Sequence, residues 1–416
     1  MIRKAKPAAA EFTHGFLDNG VEIAVDHLPQ RDTVALCFRV HVGVADDPPE
    51  LTGVTSIVEQ TLSKGTENYS GRALADALDA LGVEWNSVSG RQSTLVKLVC
   101  LPEFTLDAVD LIAEMIRRPT FPDDACEVAV KLALEDLQQM EDEPGDLLRY
   151  DVQRLTLGPV YGRNPAGEKD TLPKITPETI RAHWRAFYNA GRMQIAAAGP
   201  VDRDALSRGI EQRFADFGDA RPSGRRPADF SFTPGRHHRP KELKQQYIGI
   251  TLPGATRDDP EYPIERVLLG VLSGGMSGRL FTEVREKQGL VYWVGAWHEQ
   301  PRGRGVIHLG ASSTPENSEK TYRTLLRELA RVGADLTEEE TRRARDGLIA
   351  HMETEDDLTR ARAFGLSDDL FHYSKPIGLT PKIEALRTVD TAAVEAYAKR
   401  LRRDEVCVAT VGPREL

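Results

Sequence analysis

Residues 52–63, TGVTSIVEQTLS, carry a polar stripe of Ser56, Glu59, Gln60 and Ser63. Two side chains four apart on a helix project from one face, so positions 56 and 60 are spaced to hold a metal ion between them. They are Ser and Gln, however, and neither is a competent zinc ligand. No other histidine pattern replaces them. His14, His27, His41, His183, His237, His238, His298, His308, His351 and His372 include no H-x3-H or H-x-x-E-H spacing, and the adjacent His237 and His238 sit beside Pro240 in an expected loop. A second set of chemically capable residues lies in the other half. Residues 277–288 read as a helix ending at Gly289, where a C-cap belongs, and Leu290 to Trp297 reads as a strand. A strand returning directly from a helix end can bring Arg285 near Tyr292, which places a guanidinium and a phenolic hydroxyl side by side as hydrogen-bond donors. The plain alternative is that Arg285 pairs with Glu283 or Glu286 while Tyr292 packs. Gly274, Gly275 and Gly278 lack the G-x-x-x-x-G-K-[ST] spacing of a phosphate loop and read as a close-approach turn.

The elements that must carry these residues follow from periodicity. Val54, Ile57, Val58, Thr61 and Leu62 have the spacing of a helix packed on a core. Strands are expected at 21–26, 34–42, 94–100, 247–252 and 306–311, and amphipathic helices at 71–81, 106–117, 124–141, 316–332 and 338–353. Ile195-Ala-Ala-Ala-Gly-Pro200 recurs as Val408-Ala-Thr-Val-Gly-Pro413, each after a helical segment (176–188 and 391–402). A helix, a strand and a Gly-Pro stop repeated in one order imply a duplicated α/β (α+β) domain, each copy a mostly antiparallel sheet covered by helices on one face. The Gly-, Pro- and charge-rich segment around 218–227 reads as a linker. The expected division is therefore 1–217, a linker over 218–235, and 236–416.

A chain of 416 residues is long enough for two cores. Its formal net charge of −10, with 54 Lys and Arg against 64 Asp and Glu, lacks the basic stripe that tracks phosphates, which argues against nucleic acid as a partner. No apolar run is long enough to span a bilayer, and residues 1–15 show no hydrophobic export segment, so no membrane partner is expected. Cys37, Cys100, Cys126 and Cys407 form no C-x-x-C pair and read as buried thiols, as suits a reducing cytoplasm.

Gly53 to Thr66, GVTSIVEQTLSKGT, resembles the zinc helix of the pitrilysin and mitochondrial-processing-peptidase family, the inverzincins, whose signature is H-x-x-E-H followed by a Lys-Gly-Thr turn. The turn is intact at Lys64-Gly65-Thr66. Laid on that motif, Ser56 replaces the first histidine, Glu59 keeps the general-base glutamate and Gln60 replaces the second histidine. The family's third ligand falls at Asp136 or its neighbour Glu135. The likeness continues through Tyr161-Gly-Arg-Asn-Pro165, Phe187 to Pro200 and, most distinctively, Ser273 to Tyr292. Asn86 to Thr94 resembles the family's substrate-side edge strand.

The resemblance implies a two-domain chain forming half of a clamshell, whose own helix binds no zinc. It implies that Arg285 and Tyr292 reach substrate: the tyrosine hydroxyl donates to the developing oxyanion and the arginine anchors a backbone carbonyl. Gly274, Gly275 and Met276 are the associated candidates for substrate contact. The expected partner is a homologous H-x-x-E-H chain carrying Zn2+, the expected substrate a peptide, and the expected activity that of one subunit in a heterodimeric metallopeptidase, inactive alone. The rival reading is a catalytically inactive scaffold or peptide-binding homologue, as a homodimer or core-type subunit. An independent Ser- or Cys-based peptidase finds no triad in the sequence.

Overall fold

The computed structural model describes residues 12–218, 230–403 and 405–416. In chain order the elements are β1 (Phe12–Phe16), β2 (Glu22–His27), β3 (Val34–Val40), α1 (Val54–Thr61), α2 (Gly71–Ala80), β4 (Glu84–Ser89), β5 (Thr94–Cys100), α3 (Thr105–Arg117), α4 (Asp123–Asp142), α5 (Pro144–Tyr161), α6 (Pro177–Phe187), β6 (Met193–Gly199) and α7 (Arg203–Phe214). There follow β7 (Gly235–Pro240), β8 (Gln246–Gly254), α8 (Tyr262–Ser273), a π-helical segment (Phe281–Glu286), β9 (Val291–Glu299), β10 (Gly305–Ser313), α9 (Ser318–Asp335), α10 (Glu338–Glu355), α11 (Thr359–Tyr373), α12 (Leu379–Arg387), α13 (Thr391–Arg400) and β11 (Cys407–Gly412).

Two compact units result. One gathers Met1–Glu135, Asn164–Arg226 and Glu355–Gly378; the other gathers Asp136–Arg163, Pro227–Thr354 and Leu379–Leu416. Every strand of the first sheet precedes residue 217 and every strand of the second follows residue 234, but helices are exchanged between the halves of the sequence. Most of the expected linker, at 219–229, lies outside the described residues.

The first sheet has the order β1-β2-β6-β3-β5-β4, with only β2 and β6 parallel. Small residues on one of its faces, Ala24, Cys37 and Ala196, meet Leu366 and Leu370 of α11, while Ala35 and Ala198 meet Ala363. This explains the alanine run of β6: with side chains of one carbon, α11 approaches closely. Arg39, buried on the same face, donates to Ser367 Oγ (3.0 Å) and to Asp368 (2.5 Å).

The second sheet has the order β7-β11-β8-β10-β9, with β7 and β11 parallel. Ile248, Ile250, Leu252, Ile307, Leu309 and Val408 pack with Val267, Leu268 and Leu272 of α8 and Leu325 and Leu329 of α9. In addition to this helical layer, α5 lies over the opposite face at Gly249, where an added Cβ would stand 3.2 Å from Val152 Cγ2. β6 and β11, the two strands of the sequence echo, occupy equivalent places: each has one parallel and one antiparallel neighbour. All four cysteines are buried and unpaired. Among the described residues no helix is long and apolar enough to cross a membrane.

Candidate functional site

α1 begins at Gly53, whose φ of +103° and 2.6 Å approach of an added Cβ to Gly167 Cα require glycine. The predicted apolar stripe is buried throughout. Asp47 caps the helix, accepting from the Gly53 N–H (2.7 Å), the Thr55 N–H (3.3 Å) and the Thr55 hydroxyl (2.5 Å), and the Thr55 hydroxyl in turn meets His183 Nε2 of α6 at 2.8 Å. Burial pushes Asp47 up to about 7 despite those hydrogen bonds, and it pushes His183 down to about 4, with Arg192 adding to the effect.

Three members of the polar stripe find partners within the protein. Ser56 is buried and accepts a hydrogen bond from the Gln60 amide at 3.3 Å, while the Glu59 carboxylate accepts from the Ser87 hydroxyl of β4. Burial raises the Glu59 pKa, partly countered by Ser87. Glu135 and Asp136 are exposed on α4, Glu135 lying 3.9 Å from Lys131. A hydroxyl and an amide bonded to each other do not fit zinc, which takes imidazole, thiolate or carboxylate ligands. Among the described residues no group of three or more His, Cys, Asp or Glu is placed to hold a metal ion.

Arg285 and Tyr292 are brought together by two local irregularities. The expected helix over 277–288 contains the π-helical turn Phe281–Glu286, one residue wider than an α-turn. It ends on Gly289 at φ +58°, with Gly289 N–H bonded to Arg285 O (2.9 Å) and Leu290 N–H to Val284 O (3.1 Å). The register of β9 against β10 then slips between Ser312↔Trp293 and Ser313↔Val291, leaving Tyr292 as the extra residue of a β-bulge. Bulges re-aim side chains, and Tyr292 is 76% exposed. The Arg285 guanidinium carbon sits 5.7 Å from the Tyr292 ring centroid and 5.0 Å from that of Phe281. Among the described residues Arg285 makes no ion pair; Glu283 is taken by Lys287 at 2.7 Å. Both polar groups therefore remain available to a ligand. Gly274, Gly275 and Met276 form the turn after α8, with Gly275 at φ +87° and Met276 projecting into solvent.

Three features were not legible beforehand. Arg279, buried at the start of the Arg285 segment, makes a two-pronged contact to Glu340 (2.7 and 2.8 Å) and also bonds Asp335 (2.6 Å). These bonds hold Glu340 down at about 2 against the opposing effect of burial. Trp293 and Trp297 stand half-exposed on β9, in a run that reads as uniformly apolar in sequence. Asp47 and His183 lie too far apart in the chain for spacing to link them.

Comparison with known proteins gives two successive family matches: residues 22–158 to "Insulinase (Peptidase family M16)" and residues 174–348 to "Peptidase M16 inactive domain". The chain is 24% identical over 406 residues to an uncharacterized zinc protease of Rickettsia felis, covering 96% of this chain and 97% of the relative. It is 28% identical over 416 residues to one from Mycobacterium tuberculosis, covering 95% and 92%. Among solved structures, a peptidase M16 inactive domain from Pseudomonas fluorescens superposes with a TM-score of 0.87 at 22% identity, covering 97% of this chain and 98% of that one. A protease from Helicobacter pylori matches with the same TM-score at 15% identity, covering 97% and 100%. At these identities the structural likeness is one of fold.

Proposed function

Because the chain belongs to the M16 peptidase family and its residues 174–348 match that family's inactive domain, we propose that it is the non-zinc subunit of a heterodimeric metallopeptidase that hydrolyses peptides. The metal chemistry is assigned to a homologous H-x-x-E-H chain. This chain contributes the donors of Arg285 and Tyr292. The supporting observation is their joint presentation, exposed and without an ion pair among the described residues, by a π-turn and a β-bulge, while Ser56 and Gln60 bond to each other on α1.

The division of labour follows from the chemistry of the two side chains. A peptide carbonyl acquires negative charge as it becomes tetrahedral, and a donor fixed in advance lowers that barrier because it need not reorganise. Tyr292 supplies one O–H on a short rigid arm. Arg285, held against the faces of Phe281 and Tyr292, supplies several N–H groups in a plane that can hold a neighbouring backbone carbonyl.

The test is to mix the purified chain with a homologous H-x-x-E-H chain and follow a quenched peptide. Neither chain alone cleaves. Tyr292→Phe and Arg285→Ala each lower kcat/KM in the mixture by about 100-fold, the usual cost of one such donor. Full activity of both variants would assign the chain to a scaffold role instead.

A further inference from the structure

The adjacent histidines at 237 and 238, expected in a loop, lie instead on β7, GRHHRP, an edge strand of the second sheet. A strand sends alternate side chains to opposite faces, so the two imidazoles part. His238 Nδ1 meets Thr410 Oγ1 of β11 at 2.9 Å, on the face where Arg236 lies over Tyr322 of α9 at 5.1 Å. His237 turns the other way together with Arg239, whose guanidinium donates to Asp151 of α5, from Nε at 2.7 Å and from Nη2 to the second carboxylate oxygen. Register sets Ala409 of β11 beside His237 and Gly249 of β8 beside Ala409, and Gly249 is the residue that lies against Leu148 and Val152 of α5. Along this face, where the sheet runs out past α5, a cavity of about 480 Å3 opens among α5, β7 and β11.

Three hydrogen-bond donors line it. Arg154 of α5 is exposed and makes no ion pair among the described residues; a long bond of 3.4 Å to the Tyr150 hydroxyl leaves most of its N–H groups open. Neither ring nitrogen of His237 has a hydrogen-bond partner among the described residues, and Nε2 is shut off from water, so this imidazole has an N–H to give. The third donor is backbone. Gly235 N–H bonds Val406 O on the β11 side, and N–H groups alternate sides along a strand, so the His238 N–H points outward from the sheet edge. His238 lines the cavity through that backbone, since its ring is held on the opposite face. Asp151 puts a carboxylate in the same wall, but Arg239 holds both of its oxygens. With the histidines neutral, one positive charge is left over, that of Arg154. Leu155, Ala409 and Pro240 supply an apolar lining.

We propose that this cavity binds a small monocarboxylate with an apolar body. Arg154, the His237 imidazole and the His238 N–H hold the carboxylate, and the hydrocarbon or aromatic part lies on Leu155, Ala409 and Pro240. A guanidinium fork fits the two oxygens of a carboxylate, and the charge is then matched one to one. A phosphate dianion would bring a second negative charge beside Asp151 with no cation to meet it. The volume falls within the roughly 300–1,000 Å3 of small-molecule sites, which combine an apolar lining with a few convergent polar groups in this way. β7 and β9 are the opposite edges of the five-stranded sheet, four strand spacings or about 19 Å apart, so a small acid held here stands clear of Tyr292. The inference therefore does not depend on the heterodimer reading.

The test is titration calorimetry on the isolated full chain with 4-phenylbutyrate near pH 8, where the histidines are neutral. Saturable binding of one acid per chain is expected, with a Kd of about 1 mM or tighter. The alcohol 4-phenylbutan-1-ol, which keeps the body and lacks the charge, binds at least tenfold more weakly, and so does acetate, which keeps the charge and lacks the body. Arg154→Gln weakens binding of 4-phenylbutyrate by at least tenfold. His237→Phe, which keeps a ring without a donor, weakens it by at least threefold, and Arg236→Gln on the opposite face of β7 leaves it unchanged. Arg154 is a surface residue, so Arg154→Gln leaves the fold intact, and melting curves with far-UV dichroism check every variant. No saturable binding, equal affinity for the alcohol, or indifference to Arg154→Gln overturns the proposal. Tighter binding of inorganic phosphate overturns the ligand class, and tighter binding of the tripeptide acid Ac-Ala-Ala-Phe assigns the cavity to a chain end instead of a small acid.

Discussion

Glu59 is a half-buried carboxylate with Ser56 and Gln60 beside it in α1, so its charge is opposed by desolvation and supported mainly by the Ser87 hydroxyl. Its raised pKa means that its contribution to stability is present at low pH and is lost as pH rises through the folded-state value. Glu59→Gln keeps an acceptor for Ser87 and removes the charge; the variant is expected to melt higher than the parent at pH 8, with no change in cleavage by the two-chain mixture. Asp47 and His183 oppose each other in the same way. Asp47, raised to about 7, stabilises fully below its unfolded value near 4 and loses that stabilisation as pH rises through 7. His183, lowered to about 4, stabilises above its unfolded value near 6.5 and loses that as pH falls through 4. Each alone is worth on the order of 3 kcal/mol across its window. Urea titrations from pH 4 to 8 should therefore slope oppositely: His183→Gln loses stability with rising pH and Asp47→Asn loses it with falling pH, while the parent stays comparatively flat.

At the scale of elements, the segment from Arg279 to Tyr292 is held at its root rather than at its tip. Arg279 ties it to the corner between α9 and α10 through Glu340 and Asp335, leaving Arg285 and Tyr292 at the far end with no ion pair among the described residues. Arg279→Ala leaves Glu340 without its cation, while Asp335 keeps Arg331 at 2.8 Å, and is expected to cost about 3 kcal/mol in urea denaturation. Arg279→Lys should recover only part of this, because one ammonium cannot bond Glu340 in two prongs and Asp335 together. β9 and β10 depend on each other through glycine. Gly310→Val drives a side chain into the indoles of Trp293 and Trp297 and should red-shift and raise the accessibility of their emission to acrylamide, with a stability cost of about 1–3 kcal/mol.

At the scale of the whole molecule, the two units are interleaved along the chain. The first sheet has its small-residue face covered by α11, which lies more than 150 residues beyond the last strand of that sheet. A fragment of residues 1–217 would lack α11, leaving Cys37, Ala196 and the Arg39 guanidinium without Leu366, Ser367 and Asp368. It is expected to bind a hydrophobic dye and to show no sharp thermal transition by near-UV dichroism, although it contains every strand of the first sheet. Ala198→Leu in the full chain tests the same packing, overfilling the space against Ala363 at about 1–3 kcal/mol.

What the sequence determined by itself is whatever short-range periodicity and spacing encode: the α1 core stripe, the alternation of strands and helices, the repeated helix-strand-Gly unit now at β6 and β11, the glycine stop at 289, and the presence of Ser and Gln at positions 56 and 60. Family resemblance read from Ser273 to Tyr292 extended this to the identity of the paired Arg and Tyr. The tertiary structure alone decided how those residues are presented. A π-turn and a β-bulge arise from register against neighbouring segments, which a local pattern does not carry. The placement of Trp293 and Trp297 depends on a glycine in an adjacent strand, the Asp47–Thr55–His183 network joins residues over a hundred positions apart, and one face of each sheet is covered by a helix from the other half of the chain, α11 on the first and α5 on the second. In each case the deciding contact is long-range, and its energy resides in packing rather than in the propensity of any one segment.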